Sequence, residues 1–389
     1  MRVTHVITRL IVGGAQENTV ASVLGLKRKA DLQIDLISGL SEGPEGSLES
    51  EFDNDPGALR ILPELVRPIH PWKDIQALER LTEIFRRERP DIVHTHSGKA
   101  GVVGRLAAAR AGIPIIVHTI HGPSFGPFQG PLANYVFRFA ERRAGNVTTH
   151  FVTVADAMKN QYLAAGIGRP EQYSRIFSGF NLEPFLNTTN DPALRAQFQI
   201  SSTDIVVGKI ARLVKLKGHS DLFAIAPALV AKFPQIKFLL VGDGDLRGRF
   251  ERHACELGLE KHFVFAGLVP AETVARLVGI MDVVVHLSSR EGLPRALPQA
   301  LAAGRPVVAY ECDGSGEVCL DQKTGFLVPK GDLSGLQDRV LRLAGDPELR
   351  RSLGQWGREF IRERFPVQRM VDELHALYKR LASVQAIRS

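Results

Sequence analysis

The sequence predicts an α/β protein of two doubly wound, Rossmann-like domains, and three observations lead there. The chain has 389 residues, more than one hydrophobic core ordinarily serves and enough for two domains that each bury a substantial interior. Short apolar, β-branched runs alternate, in two successive series, with longer segments of helical period. A polar stretch with turn chemistry, Asn187-Thr-Thr-Asn-Asp-Pro192, lies between the two series.

The first series of strand-like runs comprises Val3 to Leu10, Ile34 to Leu40, Asp91 to His96, Ile115 to His121 and Phe151 to Ala155. The second comprises Ile205 to Ile210, Phe238 to Val241, Phe263 to Ala266, Val283 to Leu287 and Val307 to Tyr310, with helices expected over 219–232, 245–257, 271–280 and 333–345. Runs that are apolar on both faces imply parallel sheets covered by helices on both sides. Ligands of such sheets sit beyond the carboxyl ends of the strands, which makes a cleft between the domains the expected active site. The division is set at 1–190 and 191–365, inside the linker Asn181 to Thr203. The tail 366–389 carries Met370, Leu374, Leu377 and Leu381 at helical spacing and is expected to pack back onto the first domain.

Composition narrows the function. Hydrophobic residues at 44% and charged residues at 23% describe an ordinary globular protein. A net charge of +7 favours anionic partners. The basic residues, such as Arg86, Arg87 and Arg89, are scattered through helical segments without a recognition motif, which argues against nucleic acid. Cys255, Cys312 and Cys319 are sparse, odd in number and without paired spacing, so neither a disulfide framework nor a zinc site is expected and a reducing compartment fits. Arg9 and Gly13 interrupt the N-terminal apolar stretch before it forms a signal-peptide core, and no segment has the roughly 18 uninterrupted apolar residues of a membrane span.

Three segments carry chemistry. Leu10-Ile-Val-Gly-Gly-Ala-Gln16 follows the first run and opens a helix, where paired glycines let backbone amides approach a phosphate or sugar. It lacks the G-x-G-x-x-G spacing, and a tight turn without a ligand reads it equally well. Ala211-Arg-Leu-Val-Lys-Leu-Lys-Gly218 places Arg212, Lys215 and Lys217 near a helix start, a fork and mobile point charges suited to a diphosphate, or else a solvated basic loop. Ser288-Ser-Arg-Glu-Gly-Leu-Pro-Arg-Ala-Leu-Pro-Gln-Ala-Leu-Ala-Ala-Gly304 runs from a strand through a loop into a helix. Pro298 fits only the first helical turn and Gly304 suits the C-terminal cap, so Glu291 falls in the loop and Gln299 near the helix start. Amides around Gly292 and Leu293 then face an anion, and Glu291 and Gln299 can bond hydroxyls of a sugar and a ribose.

Two metal-like patterns are set aside. Asp243-Gly-Asp245 has D-x-D spacing but closes a strand as a glycine-rich turn, and no metal is expected there. His94-Thr-His96, taken as a strand, is expected to place its histidines on opposite faces, which suits no shared ion.

With these motifs in this order, Gly13-Gly14, His121 at the end of the Ile115 to His121 run, Arg212 with Lys217, Gly242-Asp-Gly244 and Glu291-Gly-Leu-Pro, the chain resembles glycosyltransferase family 4, the retaining GT-B enzymes, over nearly its whole length. The resemblance implies two Rossmann-like domains facing a central cleft, the first on the acceptor side and the second binding the nucleotide sugar. It implies metal-independent, retaining transfer of a hexosyl-type sugar from a nucleotide diphosphate, UDP ahead of GDP, to a saccharide or lipid-linked saccharide in cell-surface polysaccharide or lipopolysaccharide synthesis. No cofactor is implied beyond the donor, and the cytoplasm, at the inner face of the membrane, is the implied location. Arg212 and Lys217 would hold the diphosphate, Glu291 with Gly292, Leu293 and Pro294 the transferred sugar, and His121 a sugar hydroxyl. Gly13, Gly14, Gln16 and Gly242 would line the donor. Gln299 stands where the family usually has a second glutamate on the ribose. It keeps hydrogen bonding but loses the charge, which bears on nucleotide affinity more than on chemistry.

Rival readings share the fold. A GT-B epimerase or a phosphorylase would use the same diphosphate site, the latter with a lysine-bound cofactor that no segment announces. A non-catalytic sugar-nucleotide-binding subunit is motivated by Gln299 and opposed by the intact Arg212, Lys217 and Glu291. The loop 122–131, with Phe125 and Phe128, and the segment after it, with Tyr135, Phe137, Phe139, Arg138, Arg142 and Arg143, either packs its aromatics inside or docks on an anionic membrane.

Overall fold

The computed structural model describes residues 1–41, 46–126 and 128–388, so Pro127 of the loop 122–131 and Ser389 of the tail lie outside the described residues. The chain divides into two compact units, the first running to Phe180 and resuming at Val367, the second spanning Asn181–Pro366. The sequence division stood at 190/191. The difference is segment 181–190, which is tied to the second unit: Thr188 Oγ1 donates to the Ala275 carbonyl at 2.9 Å and Arg358 Nη2 to the Leu186 carbonyl at 2.6 Å.

The first unit holds a seven-stranded sheet of β1 (Arg2–Ile7), β2 (Gln33–Ser38), β3 (Leu59–Ile61), β4 (Ile92–His96), β5 (Ile115–Ile120), β6 (His150–Thr153) and β7 (Tyr173–Arg175) in the order β3-β2-β1-β4-β5-β6-β7. The second holds six strands, β8 (Ile205–Ile210), β9 (Ile236–Val241), β10 (Phe263–Gly267), β11 (Val283–His286), β12 (Val307–Tyr310) and β13 (Gly325–Val328), in the order β10-β9-β8-β11-β12-β13. Every described strand pairing is parallel. Strand order reverses once in each sheet, between β1 and β4 and between β8 and β11, and the crevice above such a reversal is where doubly wound folds bind ligands.

The strands absent from the sequence reading, β3, β7 and β13, are three or four residues long and lie at sheet edges, too short to leave an apolar run. Central strands are buried along their length, as in β4 and β11. In the second unit the core closes on stacked rings, Phe223 on Phe263 at 4.1 Å and Phe238 on Phe263 at 4.6 Å between centroids, contacts worth about 1 kcal/mol each beyond burial.

The tail forms helix Val367–Arg388 against helix Gly14–Lys27 of the first unit. Met370, Leu374 and Leu377 are buried and Leu381 is half-buried, and Val371 and Tyr378, which the spacing argument passed over, are buried too. A Cβ on Gly25 would lie 2.3 Å from Val371 Cγ2, so close helix approach depends on that glycine. Met370 sulfur accepts from Asn18 Nδ2 at 3.0 Å.

One expectation is corrected. His94 and His96 share one face of β4, their rings stacked at 4.4 Å, because side chains two residues apart on a strand point the same way. With His5 of β1 they form a buried trio in which one ring nitrogen from each lies within 4.8 Å of the other two.

Candidate active site

In the second unit the site grows from two crossovers that meet at the β8/β11 reversal. After β8 the chain makes a short turn, Lys215–Lys217, and then Gly218 enters helix His219–Lys232 with φ of 65°. That left-handed conformation suits glycine, and a Cβ there would lie 2.0 Å from the Leu287 carbonyl oxygen. Gly218 therefore allows the basic turn to rest on the end of β11, where Ser289 N–H donates to the Leu216 carbonyl at 2.9 Å. The consequence is direct contact: Lys217 Nζ donates to Glu291 Oε1 at 2.5 Å, with the two side chains 22% and 17% exposed.

Glu291 is held from two other directions. Its amide donates to Asp313 Oδ2 at 2.7 Å, which fixes the loop. His286 Nε2, at the end of β11, lies 3.5 Å from Oε1. Burial opposes ionisation of Glu291 and is outweighed by His286 and by the Lys217 ammonium, so the carboxyl stays well below its usual range. Glu291 is thus an ionised acceptor and Lys217 a cation with two further N–H donors.

Arg212 is exposed five residues before Lys217 on the same crossover. Gly242 and Gly244, after β9, pack against that crossover: a Cβ on Gly242 would lie 2.3 Å from the Ala211 carbonyl oxygen, and Leu213 N–H donates to the Asp243 carbonyl at 2.9 Å. The Asp243 carboxylate accepts from Gly244 N–H at 2.7 Å and from Arg247 at 3.1 Å, the behaviour of a turn residue. Gly292 is half-buried, and Leu293 and Pro294 are buried. The Gly292 and Leu293 amides have no acceptor among the described residues. Helix Ala296–Ala302 follows, with Pro298 in its first turn and Gln299 half-buried beside it. Gly304, with φ of 69°, ends that helix.

The site also holds groups that the sequence reading missed. Lys209, in β8, is 1% exposed, and its Nζ has no hydrogen-bond partner among the described residues. Burial first, and the Lys217 charge second, push its pKa down to about 7. The signal was present as a single lysine inside the apolar run Ile205-Val-Val-Gly-Lys-Ile210. From about pH 7 to the unfolded value of 10.5 the unfolded chain keeps the proton that folded Lys209 has lost, so stability rises with pH across that window, by up to about 1.4 kcal/mol per pH unit. Denaturant titrations at pH 7 and pH 9 are expected to show Lys209→Met removing this rise. An unchanged wild-type-to-variant difference at the two pH values would contradict the assignment.

In the first unit, Gly13 and Gly14 follow β1, and the Gly13 carbonyl accepts the first helical bond from Glu17 N–H at 2.9 Å. A Cβ on Gly13 would lie 2.8 Å from Gln16 Oε1, so the Gln16 side chain folds over the turn. His121 follows β5, and its Nε2 bonds His96 Nδ1 at 3.0 Å. Burial pushes His121 down to about 3, so its ring is neutral near pH 7. The structure thus joins Lys217 to Glu291 directly and packs Gly242 against the Ala211–Arg212 backbone, while in the first unit Gly13, Gly14 and Gln16 follow β1 and His121 follows β5.

Two doubly wound units in one chain, one carrying a cation paired with an ionised carboxylate above its strand reversal, fit the architecture of the GT-B glycosyltransferases. Residues 13–176 match the glycosyl transferase 4-like domain and residues 190–360 the glycosyl transferases group 1 family. The chain is 26% identical over 382 residues, 97% of its length and 96% of the relative's, to the Escherichia coli UDP-Gal:alpha-D-GlcNAc-diphosphoundecaprenol alpha-1,3-galactosyltransferase. It is 30% identical over 261 residues, 65% of its own length and 67% of the relative's, to the GDP-mannose-dependent alpha-(1-6)-phosphatidylinositol monomannoside mannosyltransferase of Mycolicibacterium smegmatis. Among solved structures, Anabaena HepE in complex with UDP matches at a TM-score of 0.81 and 21% identity, covering 98% of this chain and 100% of that one. The chain belongs to glycosyltransferase family 4.

Proposed function

We propose that this enzyme moves a hexosyl-type sugar from a nucleotide diphosphate, UDP ahead of GDP, onto a saccharide or lipid-linked saccharide acceptor of cell-surface polysaccharide synthesis, with retention of anomeric configuration. The observation that carries this reading is the Lys217–Glu291 pair above the β8/β11 reversal. The full-length Escherichia coli relative supports UDP and a diphosphoundecaprenol-linked acceptor. The Mycolicibacterium relative, which uses GDP-mannose, is the argument for testing GDP beside it.

Arg212 and the remaining N–H donors of Lys217 hold the diphosphate, and Glu291 accepts hydroxyls of the transferred sugar, with Gly292, Leu293 and Pro294 lining it. Gly242 keeps the loop after β9 clear of the nucleotide, Gln299 bonds the ribose, and Gly13, Gly14 and Gln16 form the donor-facing turn of the first unit. His121 bonds a sugar hydroxyl. In the reaction the bond from the anomeric carbon to the diphosphate oxygen breaks and a bond to the acceptor oxygen forms on the same face. The acceptor proton passes to the departing diphosphate. Positive groups aimed at the developing charge are worth a few kcal/mol each, and no metal is required. Incubation with UDP- and GDP-sugars and an undecaprenyl-diphosphate-linked N-acetylglucosamine tests the reading: it predicts a glycosylated lipid with the donor's anomeric configuration. Nucleotide-sugar binding without transfer to any saccharide acceptor would favour the non-catalytic subunit.

We further propose peripheral contact with the inner face of an anionic membrane. No described helix is long and apolar enough to cross a membrane. On helix Pro131–Gly145, Leu132, Tyr135, Val136 and Phe139 are 77%, 69%, 46% and 57% exposed. They share one helical face, and Arg143 is exposed nearby. Co-sedimentation with anionic vesicles is expected to fall several-fold in Tyr135→Ser/Phe139→Ser, and equal sedimentation of wild type and variant would reject the contact.

A further inference from the structure

Within the first unit six polar groups form one unbroken chain of hydrogen bonds. Thr119 Oγ1 meets His94 Nε2 at 2.7 Å, and His94 Nδ1 meets the Tyr378 hydroxyl at 2.5 Å. The same hydroxyl meets His5 Nε2 at 3.2 Å, His5 Nδ1 meets His96 Nε2 at 2.9 Å, and His96 Nδ1 meets His121 Nε2 at 3.0 Å. Thr119, His94, His5, His96 and Tyr378 are all buried, and only His121 reaches partial exposure. The chain joins β1, β4, β5 and the C-terminal helix to the residue assigned above to the donor sugar.

Burial keeps the four imidazoles neutral near pH 7. A neutral imidazole has one N–H and one bare nitrogen, so each histidine bonded on both sides must receive from one and give to the other, while the Tyr378 hydroxyl, with one proton and two lone pairs, can also accept from both. Three arrangements satisfy all five bonds: protons pointing inward throughout, outward throughout, or from both ends toward Tyr378, which then accepts twice and leaves its own buried hydroxyl proton without an acceptor among the described residues. If protons point from His121 inward, His94 donates to Thr119, and the buried Thr119 hydroxyl proton is left without an acceptor among the described residues. If they point outward, Thr119 donates to His94, His94 to Tyr378, Tyr378 to His5, His5 to His96 and His96 to His121, with nothing inside unsatisfied. A buried polar network is stable when each member is satisfied.

We infer that this relay runs outward from Thr119 and locks His121 in the Nδ1–H tautomer, so that His121 meets its ligand as a hydrogen-bond donor to a lone pair of a sugar oxygen. His94, His5, His96 and Tyr378 are then positioning residues, acting on the ligand only through His121. The ligand assignment rests on the function proposed above; the tautomer does not. A zinc ion on His5, His94 and His96 is the competing use of these groups, but it would take up ring nitrogens that already bond one another, Tyr378 and Thr119.

The test is ¹⁵N NMR of protein labelled in its histidine rings, with the His121 signals assigned by their loss in His121→Gln and folding of each variant checked by its melting transition. The expected result is a single neutral His121 with the proton on Nδ1 in the wild type, and both tautomers populated in Tyr378→Phe, which removes one hydroxyl and little volume. A wild-type proton on Nε2, a His121 unmoved by Tyr378→Phe, or stoichiometric zinc in the purified protein would each overturn the relay. If the tautomer behaves as expected while Tyr378→Phe leaves kcat and KM for the donor unchanged, the relay stands and the assignment of His121 to the donor fails.

Discussion

Glu291→Ala is expected to lower kcat/KM for sugar transfer by about 10²–10³-fold, with most of the loss in kcat. The carboxylate is ionised and pre-positioned by Lys217, by the contact with His286 and by the anchoring of its own amide on Asp313. An acceptor of this kind costs no reorganisation when charge shifts on the transferred sugar, so its contribution is concentrated in the transition state. Its removal also takes from Lys217 its carboxylate partner and from buried Lys209 the neighbouring negative charge that favours its protonated form. Glu291→Gln, which keeps the shape and an acceptor oxygen but loses the charge, is expected to fall between wild type and alanine. Steady-state transfer kinetics at saturating acceptor measure both, and an alanine variant within threefold of wild type would remove Glu291 from the chemistry.

The second large effect is loss of stability in acid. His5, His94, His96 and His118 are at most 1% exposed, and burial is the leading cause that depresses each of them from 6.5, His5 to about 3. Below pH 6.5 the unfolded chain takes up protons on these rings while the folded chain does not, so stability falls as pH falls through that window and down towards the folded values. At pH 5 each ring contributes a loss of about 2 kcal/mol, and four together, about 8 kcal/mol, fall within the roughly 5–15 kcal/mol that ordinarily holds a domain. The second unit carries His219 and His286, also depressed by burial. The first unit, with more such rings, is therefore expected to melt first on acidification. Thermal melts at pH 7 and pH 5 should differ by well over 10 °C, and His118→Asn should reduce that difference. Coincident melting temperatures at the two pH values would contradict neutral burial of the histidines.

Much of the fold was legible because buried parallel strands leave apolar runs and the motif loops lie where those runs end. Pro298 and Gly304 placed Glu291 in a loop and Gln299 on the helix from turn chemistry alone. The pairing of Lys217 with Glu291, 74 residues apart, was not legible, since it depends on which strands become neighbours and on Gly218 admitting close approach. The histidine relay was hidden twice over. His94 and His96 were assigned to opposite faces, against the two-residue repeat of a strand, and Tyr378 joins them from 284 residues away in a helix whose spacing argument counted aliphatic residues. The exposed stripe on helix Pro131–Gly145 was also undecidable, because the same aromatic and basic residues describe an inward-packed helix until their exposure is known.

Binding of the donor diphosphate by the second unit through Arg212 and Lys217 is measured by calorimetric titration of UDP and GDP into the intact chain without divalent metal. UDP is expected to bind more tightly than GDP, with Arg212→Ala and Lys217→Ala each weakening UDP by at least tenfold, about 1.4 kcal/mol. Undiminished UDP binding in both variants, or no binding of either nucleotide to the wild type at millimolar concentration, would contradict that assignment.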